Sequence, residues 1–164
     1  MTDFRAAIAA VRPDLADVPL VLHSAGWDCT AVEAGATIFK FPKHAEAVPR
    51  LRKEAGLLAL IRPRVPLTVP DMRLHESPLL FSEHPKIPGA MLETGDYAGL
   101  RDAQRDALAD ALAGFYAALH SIPIEAAVAA GARPVPDWPA VDRIMAQVEA
   151  MLPAAAHKEA RKVL

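Results

Sequence analysis

The residues Thr37, Ile38, Phe39, Lys40 and Phe41 form a β-branched and aromatic run closed by Pro42, which is the composition of a strand. Alternation puts Ile38 and Lys40 on one face and Thr37, Phe39 and Phe41 on the other. Past Pro42 the period lengthens. Val48, Leu51, Leu58 and Ile61 recur at helical spacing, with Arg50, Arg52 and Lys53 turned elsewhere. Upstream, Thr2 can cap a short helix that runs to about Val11 and is ended by Pro13. Pro19 to His23 reads as a first strand, the polar stretch Ser24 to Thr30 as a turn, Ala31 to Glu33 as a second strand, and Ala34–Gly35 as a tight turn into the Lys40 strand. Downstream, Met72 to His84 suggests two strands turned at Ser77 and Pro78, which completes a five-stranded antiparallel sheet. Arg101 to Ile122 is the best helix, with Leu108, Leu112, Phe115 and Leu119 as its apolar stripe and Pro123 as its stop. Asp137 can cap a further helix, with Pro139 in its first turn, through about Met151, and His157 to Leu164 also looks helical. The pattern predicts an α+β protein.

Glu54 falls on the inner stripe of the first long helix, three residues after Leu51 and four before Leu58. A carboxylate among aliphatic neighbours must escape to an edge or find a cation. Lys40, on the preceding strand, is the nearest cation in sequence. A strand lysine paired with a glutamate on the next helix is how protein kinases hold the α- and β-phosphates of a nucleotide. Spacing alone favours the plainer alternative, a structural or solvated pair.

Several pieces in order carry more information than any one of them. The run TIFKFPK, a helix with LRKEAGLL, a Pro-rich connection, KIPGAML and then LAGFYAALHSIP together resemble the aminoglycoside phosphotransferase family of small-molecule kinases. The resemblance implies a protein-kinase-like N-terminal lobe, a nucleotide cleft, and transfer of the γ-phosphate of ATP or GTP to a hydroxyl of a small molecule. It matches Lys40 to the phosphate-anchoring lysine and Glu54 to its helix partner. It makes Ser24 and Gly26, in the turn over the phosphates, candidates for touching phosphate, although Gly26 is that turn's only glycine and no GxGxxG occurs. A hairpin turn that touches nothing is an equal alternative. His84 to Ile87 falls at the hinge that holds the nucleobase, with Lys86 inside it and Ile87 as the expected backbone donor, since Pro85 has no N–H. A Pro-rich linker with no ligand is again an equal alternative. The implied division is a nucleotide-binding lobe over 1–84, a hinge and linker over 85–99, and the start of a helical lobe over 100–164.

The resemblance also exposes what the chain lacks. Kinase-like transfer uses an aspartate to orient the hydroxyl proton, with an asparagine and a second aspartate holding magnesium. In the family these arrive as HxDxxxxN and a DxD-like segment, and neither occurs; the sequence contains no asparagine. The chain therefore reads as the N-terminal portion of such an enzyme, with the magnesium ligands outside it, inactive alone. The alternative from another class is a non-catalytic kinase-like module acting through a protein partner. An apolar face left uncovered on the Arg101–Ile122 helix would favour self-association under either reading.

Composition narrows the partners. The 164 residues are 52% hydrophobic with a net charge of −2, so electrostatics give no reason to expect nucleic acid or an anionic membrane. Fifteen prolines gather mainly at 63–88 and 134–139 and mark connectors. The single Cys29 cannot form an internal disulfide and the start lacks an uninterrupted apolar core, which fits the cytoplasm. No catalytic partner for Cys29 is evident, Trp27 reads as packing more readily than as a lid, and His120 reads as a helix-end residue rather than a base. The six histidines fall at no metal-ligand spacing.

Overall fold

The computed structural model describes residues 3–77, 79–134 and 141–163. They divide into two compact units, Met1–Ala132 and Arg133–Leu164. The expected lobe over 1–84 and linker over 85–99 both fall inside the first.

The first unit begins with α1, Phe4–Val11. Its cap is Asp3, whose carboxylate accepts the Ala6 N–H at 3.0 Å; Thr2, the expected cap, lies outside the described residues. Five strands follow, with α2, Ala47–Ile61, between the third and fourth. They are β1 Leu20–His23, β2 Cys29–Ala34, β3 Thr37–Pro42, β4 Arg73–His75 and β5 Phe81–Pro85. They make one antiparallel sheet in the order β1-β2-β3-β5-β4. β2 starts two residues earlier than the sequence suggests because the ladder with β3 extends to Cys29↔Pro42. Ser77 lies between β4 and β5; Pro78 is not among the described residues.

Register sorts the side chains. Phe39 stands opposite Val32 and Glu83, and Lys40 opposite Ala31 and Ser82, so each row shares one face of the sheet. On the Phe39 face, Val32, Ala34, Phe39, Phe41 and Phe81 pack with Ala7 and Ile8 of α1 into the main core. Phe41 stacks on Phe81 at 4.7 Å between centroids and meets Phe4 at 4.8 Å. Each fully buried aromatic contributes roughly 1.5–3 kcal/mol of transfer free energy, so this cluster is what fixes β3 in place. Lys40 lies on the other face.

α2 buries Ala47, Leu51 and Ala55, a narrower stripe than the expected one; Val48, Leu58 and Ile61 are half-buried. Glu54 therefore sits at an edge, with its side chain 41% exposed, rather than inside an aliphatic stripe. Gly56 lets the chain after the next helices approach α2, since a Cβ there would lie 2.6 Å from the Ala130 carbonyl oxygen. The remaining helices of this unit are α3 Thr94–Ala98, α4 Asp102–His120 and α5 Ile124–Ala129. Along α4, Leu108, Phe115 and Leu119 are half-buried, while Leu112 and Tyr116 are exposed.

The second unit holds α6 Val141–Met151 and α7 Ala154–Val163, joined by an ion pair between Arg161 and Glu149. The expected cap Asp137 and Pro139 fall outside the described residues. α7 starts three residues before His157. No helix of the described residues is long and apolar enough to cross a membrane.

Candidate functional site

β3 carries a charge flanked by two buried rings. Because Phe39 and Phe41 are held in the core, Lys40 between them must project from the opposite face, toward α2. There its Nζ donates to both carboxylate oxygens of Glu54, at 2.6 and 2.5 Å. The ammonium has three N–H groups. With two given to Glu54, one remains for a ligand. The Lys40 side chain is 24% exposed, sheltered enough to strengthen an electrostatic contact and open enough to be reached.

Lys40 and Glu54 line a cavity of about 410 Å³ together with Gly26, Trp27, Cys29 and Arg50. The turn between β1 and β2 forms one wall. Gly26 is required there by close approach: a Cβ would stand 2.9 Å from the Cys29 carbonyl oxygen. Trp27, read from sequence as packing, is 94% exposed at the cavity rim, because the turn carries it away from the sheet. Burial pushes the Cys29 thiol above its ordinary 9.0; Lys40 opposes this and Glu54 reinforces it.

Two basic residues that sequence reasoning did not single out hold the turn. Lys43 Nζ donates to the carbonyls of Ser24 and Gly26, both at 2.5 Å. Arg50 donates to the Asp28 carboxylate at 2.7 Å, and His44 Nε2 lies 3.6 Å from it. Lys43 belongs to the TIFKFPK run and so was visible, but its partners are 17 and 19 residues away, a tertiary fact. Ser24 does not line the Lys40 cavity; its carbonyl is held by Lys43.

The other expected residues lie elsewhere. Lys86 and Ile87 line a separate cavity of about 490 Å³, with Val65, Leu67 and Val69 of the connection between α2 and β4. The two cavities share no lining residue. The Lys86 N–H is already given to the Ala36 carbonyl at 2.8 Å, and its Nζ to Glu33 at 2.6 Å, so this residue has no backbone donor to offer a base. The Ile87 N–H has no hydrogen-bond partner among the described residues. His84 shares the Lys40 face through its pairing with Ile38, borders a third cavity of about 350 Å³, and has its Nδ1 3.0 Å from the Pro85 carbonyl oxygen. Beside it on the opposite face, Glu83 is buried between Arg12 at 3.6 Å and His75 at 3.4 Å.

A five-stranded antiparallel sheet, a strand lysine held by the glutamate of the following helix, and a turn folded over the same cavity are the architecture of a protein-kinase-like N-terminal lobe. The model of the phosphotransferase enzyme family (APH) matches residues 20–164, and the chain belongs to that family. No curated protein matches it. Among solved structures, the GDP complex of wild-type aminoglycoside 2'-phosphotransferase-IIIa superposes with a TM-score of 0.70 at 24% identity, covering 96% of this chain and 56% of that one. The streptomycin–ATP ternary complex of APH(2")-IIa gives 0.61 at 21% identity, covering 97% and 53%. A macrolide 2'-phosphotransferase from Brachybacterium faecium gives 0.62 at 24%, covering 98% and 59%. The chain thus spans a little over half the length of the structures it matches. At these identities the likeness establishes the kinase-like fold.

Proposed function

We propose that this chain is the nucleotide-binding portion of a small-molecule phosphotransferase that moves the γ-phosphate of ATP or GTP to a hydroxyl. The observation that carries the reading is the Lys40–Glu54 pair, which leaves one ammonium N–H and a fixed positive charge in a cavity walled by a turn. Solved neighbours described as GDP, ATP and ADP complexes support the ligand class. Neighbours described with streptomycin, kanamycin and gentamicin support a hydroxyl-bearing acceptor.

In this reading Lys40 holds the α- and β-phosphates, Glu54 holds Lys40, and the Ser24–Thr30 turn covers the phosphates. The stretch from His84 to Ile87 holds the base, with the Ile87 N–H as the donor, and marks the passage from a nucleotide lobe over 1–84 to the first helices of a second lobe. The nucleotide, when bound, supplies the phosphoryl group.

Magnesium does not fit the residues present. Among the described residues no three His, Cys, Asp or Glu side chains gather to hold a metal ion, and the sequence has no asparagine. Its ligands and the aspartate that orients the acceptor belong to sequence outside this chain, so the chain alone binds without transferring. A cytoplasmic setting suits the free Cys29.

Calorimetric titration with ATP and GTP tests the proposal. Saturable binding that Lys40→Ala weakens, with the circular dichroism spectrum unchanged, supports it. Titrations identical for the two proteins refute the assignment of Lys40 and turn attention to a non-catalytic module that acts through a protein partner.

A further inference from the structure

The turn over the Lys40 cavity has too few glycines to shape itself by backbone freedom, since Gly26 is the only one from Ser24 to Thr30. It is shaped instead from one side by charge. Lys43 Nζ takes the carbonyls of Ser24 and Gly26, and the Lys43 N–H takes the carbonyl of Asp28 at 2.8 Å. The Asp28 side chain is tied back to α2 by Arg50.

In a planar trans peptide the C=O and the next N–H point in opposite directions. With the Ser24 and Gly26 carbonyls drawn to Lys43, the N–H groups of Ala25 and Trp27 face away from it. Ala25, Gly26 and Trp27 line the cavity, and Lys43 does not. Neither the Ala25 nor the Trp27 N–H has a hydrogen-bond partner among the described residues. Two unpaired backbone donors in a turn, on the wall of the cavity that Lys40 also lines, suit an anionic ligand. A cation on each carbonyl also polarises its peptide and makes the N–H a stronger donor.

We infer that Lys43 is a positioning residue that staples the turn from behind, so that the Ala25 and Trp27 amides face the phosphate oxygens of a bound nucleotide. The inference rests on the reading of the Lys40 cavity as a phosphate site. Lys43 touches no ligand; it acts through the two carbonyls it holds.

The test compares the wild-type chain with Lys43→Met, Lys43→Arg and Lys40→Met in calorimetric titrations against ATP, inorganic tripolyphosphate and adenosine. NMR follows the Ala25 and Trp27 amides. In the wild type both amide resonances shift on addition of tripolyphosphate. Lys43→Met weakens ATP and tripolyphosphate by about tenfold, the scale of one charge-assisted contact, leaves adenosine unchanged and abolishes those two shifts. Lys43→Arg restores most of the affinity. Because Lys43 is exposed, thermal midpoints stay close to wild type in both variants. If Lys40→Met weakens tripolyphosphate but Lys43→Met binds as wild type does, the staple is overturned while the phosphate site stands. If tripolyphosphate fails to bind the wild type, or binds all the variants equally, the phosphate site falls and the staple with it. Equal losses for adenosine and ATP in Lys43→Met also overturn it, because a general loosening of the fold accounts for them.

Discussion

Glu54→Gln separates the two roles that a lysine–glutamate pair can have. In a structural pair the ion contact holds α2 to the sheet; in a clamp it holds the ammonium ready for an anion. The substitution keeps the size of the side chain and one carbonyl acceptor but removes the charge and one of the two oxygens now at 2.5–2.6 Å from Lys40 Nζ. With the two side chains 24% and 41% exposed, water already competes for both, and pairs of this kind contribute about 0–1 kcal/mol to stability. For a domain of this size that is a fall in thermal midpoint of no more than roughly 4 °C. The effect on binding is larger. A free lysine side chain carries about 2 kcal/mol of rotamer entropy, and a ligand that must order half to all of it loses roughly five- to thirtyfold in affinity at 1.4 kcal/mol per tenfold. The expected result is therefore a nearly unchanged melt with a dissociation constant for ATP about tenfold weaker.

The paired assay is differential scanning fluorimetry and calorimetric titration on the same preparations. If Glu54→Gln lowers the midpoint by about 10 °C or more, well outside the range for an exposed pair, and leaves the affinity of the remaining folded protein unchanged, the contact is structural. Raising the salt concentration should shrink the difference in stability between the two proteins, because exposed charges are screened over about 8 Å at physiological ionic strength.

Three further outcomes follow from the same geometry. Gly26→Ala places a methyl group 2.9 Å from the Cys29 carbonyl oxygen; the exposed turn must open to relieve it, at a cost of about 1 kcal/mol, and nucleotide titration should show weaker binding than in wild type. The Lys86 ammonium, hydrogen-bonded at 2.6 Å, holds the Glu33 carboxyl below its ordinary 4.5. A depressed carboxylate stabilises the fold above its unfolded value and loses that contribution as pH falls through the folded one. The midpoint advantage of wild type over Glu33→Gln should accordingly be full at pH 7 and decline as pH falls below 4.5, as melts across the acid range will show. Cys29, with its thiol raised above 9.0 by burial, should react slowly with iodoacetamide at pH 7 and faster as pH climbs past 9.0. Because it lines the Lys40 cavity, saturating ATP should slow the alkylation, read by intact mass.

The sheet was legible because its strands are short, β-branched or aromatic, and separated by turn residues. Lys40 and Glu54 were legible because strand alternation and helix periodicity each say which way one side chain points. What those rules cannot give is distance in space. Lys43 follows a strand-ending proline and reads as a charge on the way into α2, yet its ammonium returns to a turn that precedes the strand. Trp27 was misjudged for a related reason: the sequence shows which residues neighbour it on its own element, not where that element ends against another. The short helices α3 and α5 lie in segments dense in proline, glycine and alanine, where periodicity has too few residues to register.

The strand β3 ties stability and site to one choice of register. Phe39 and Phe41 must face α1 to build the core, and the same alternation sends Lys40 toward α2. A slip of one residue would expose both rings and bury the ammonium. Each ring is fully or almost fully buried and contributes roughly 1.5–3 kcal/mol, more than the half-exposed Lys40–Glu54 pair adds. The aromatic cluster therefore sets the height of the lysine along the sheet, and Glu54 sets only its direction. Substitutions in the cluster should alter nucleotide affinity only in so far as they loosen β3, with stability and binding falling together. At Glu54 and Lys43 binding should fall while stability holds. That contrast distinguishes the residues that place the site from those that tune it.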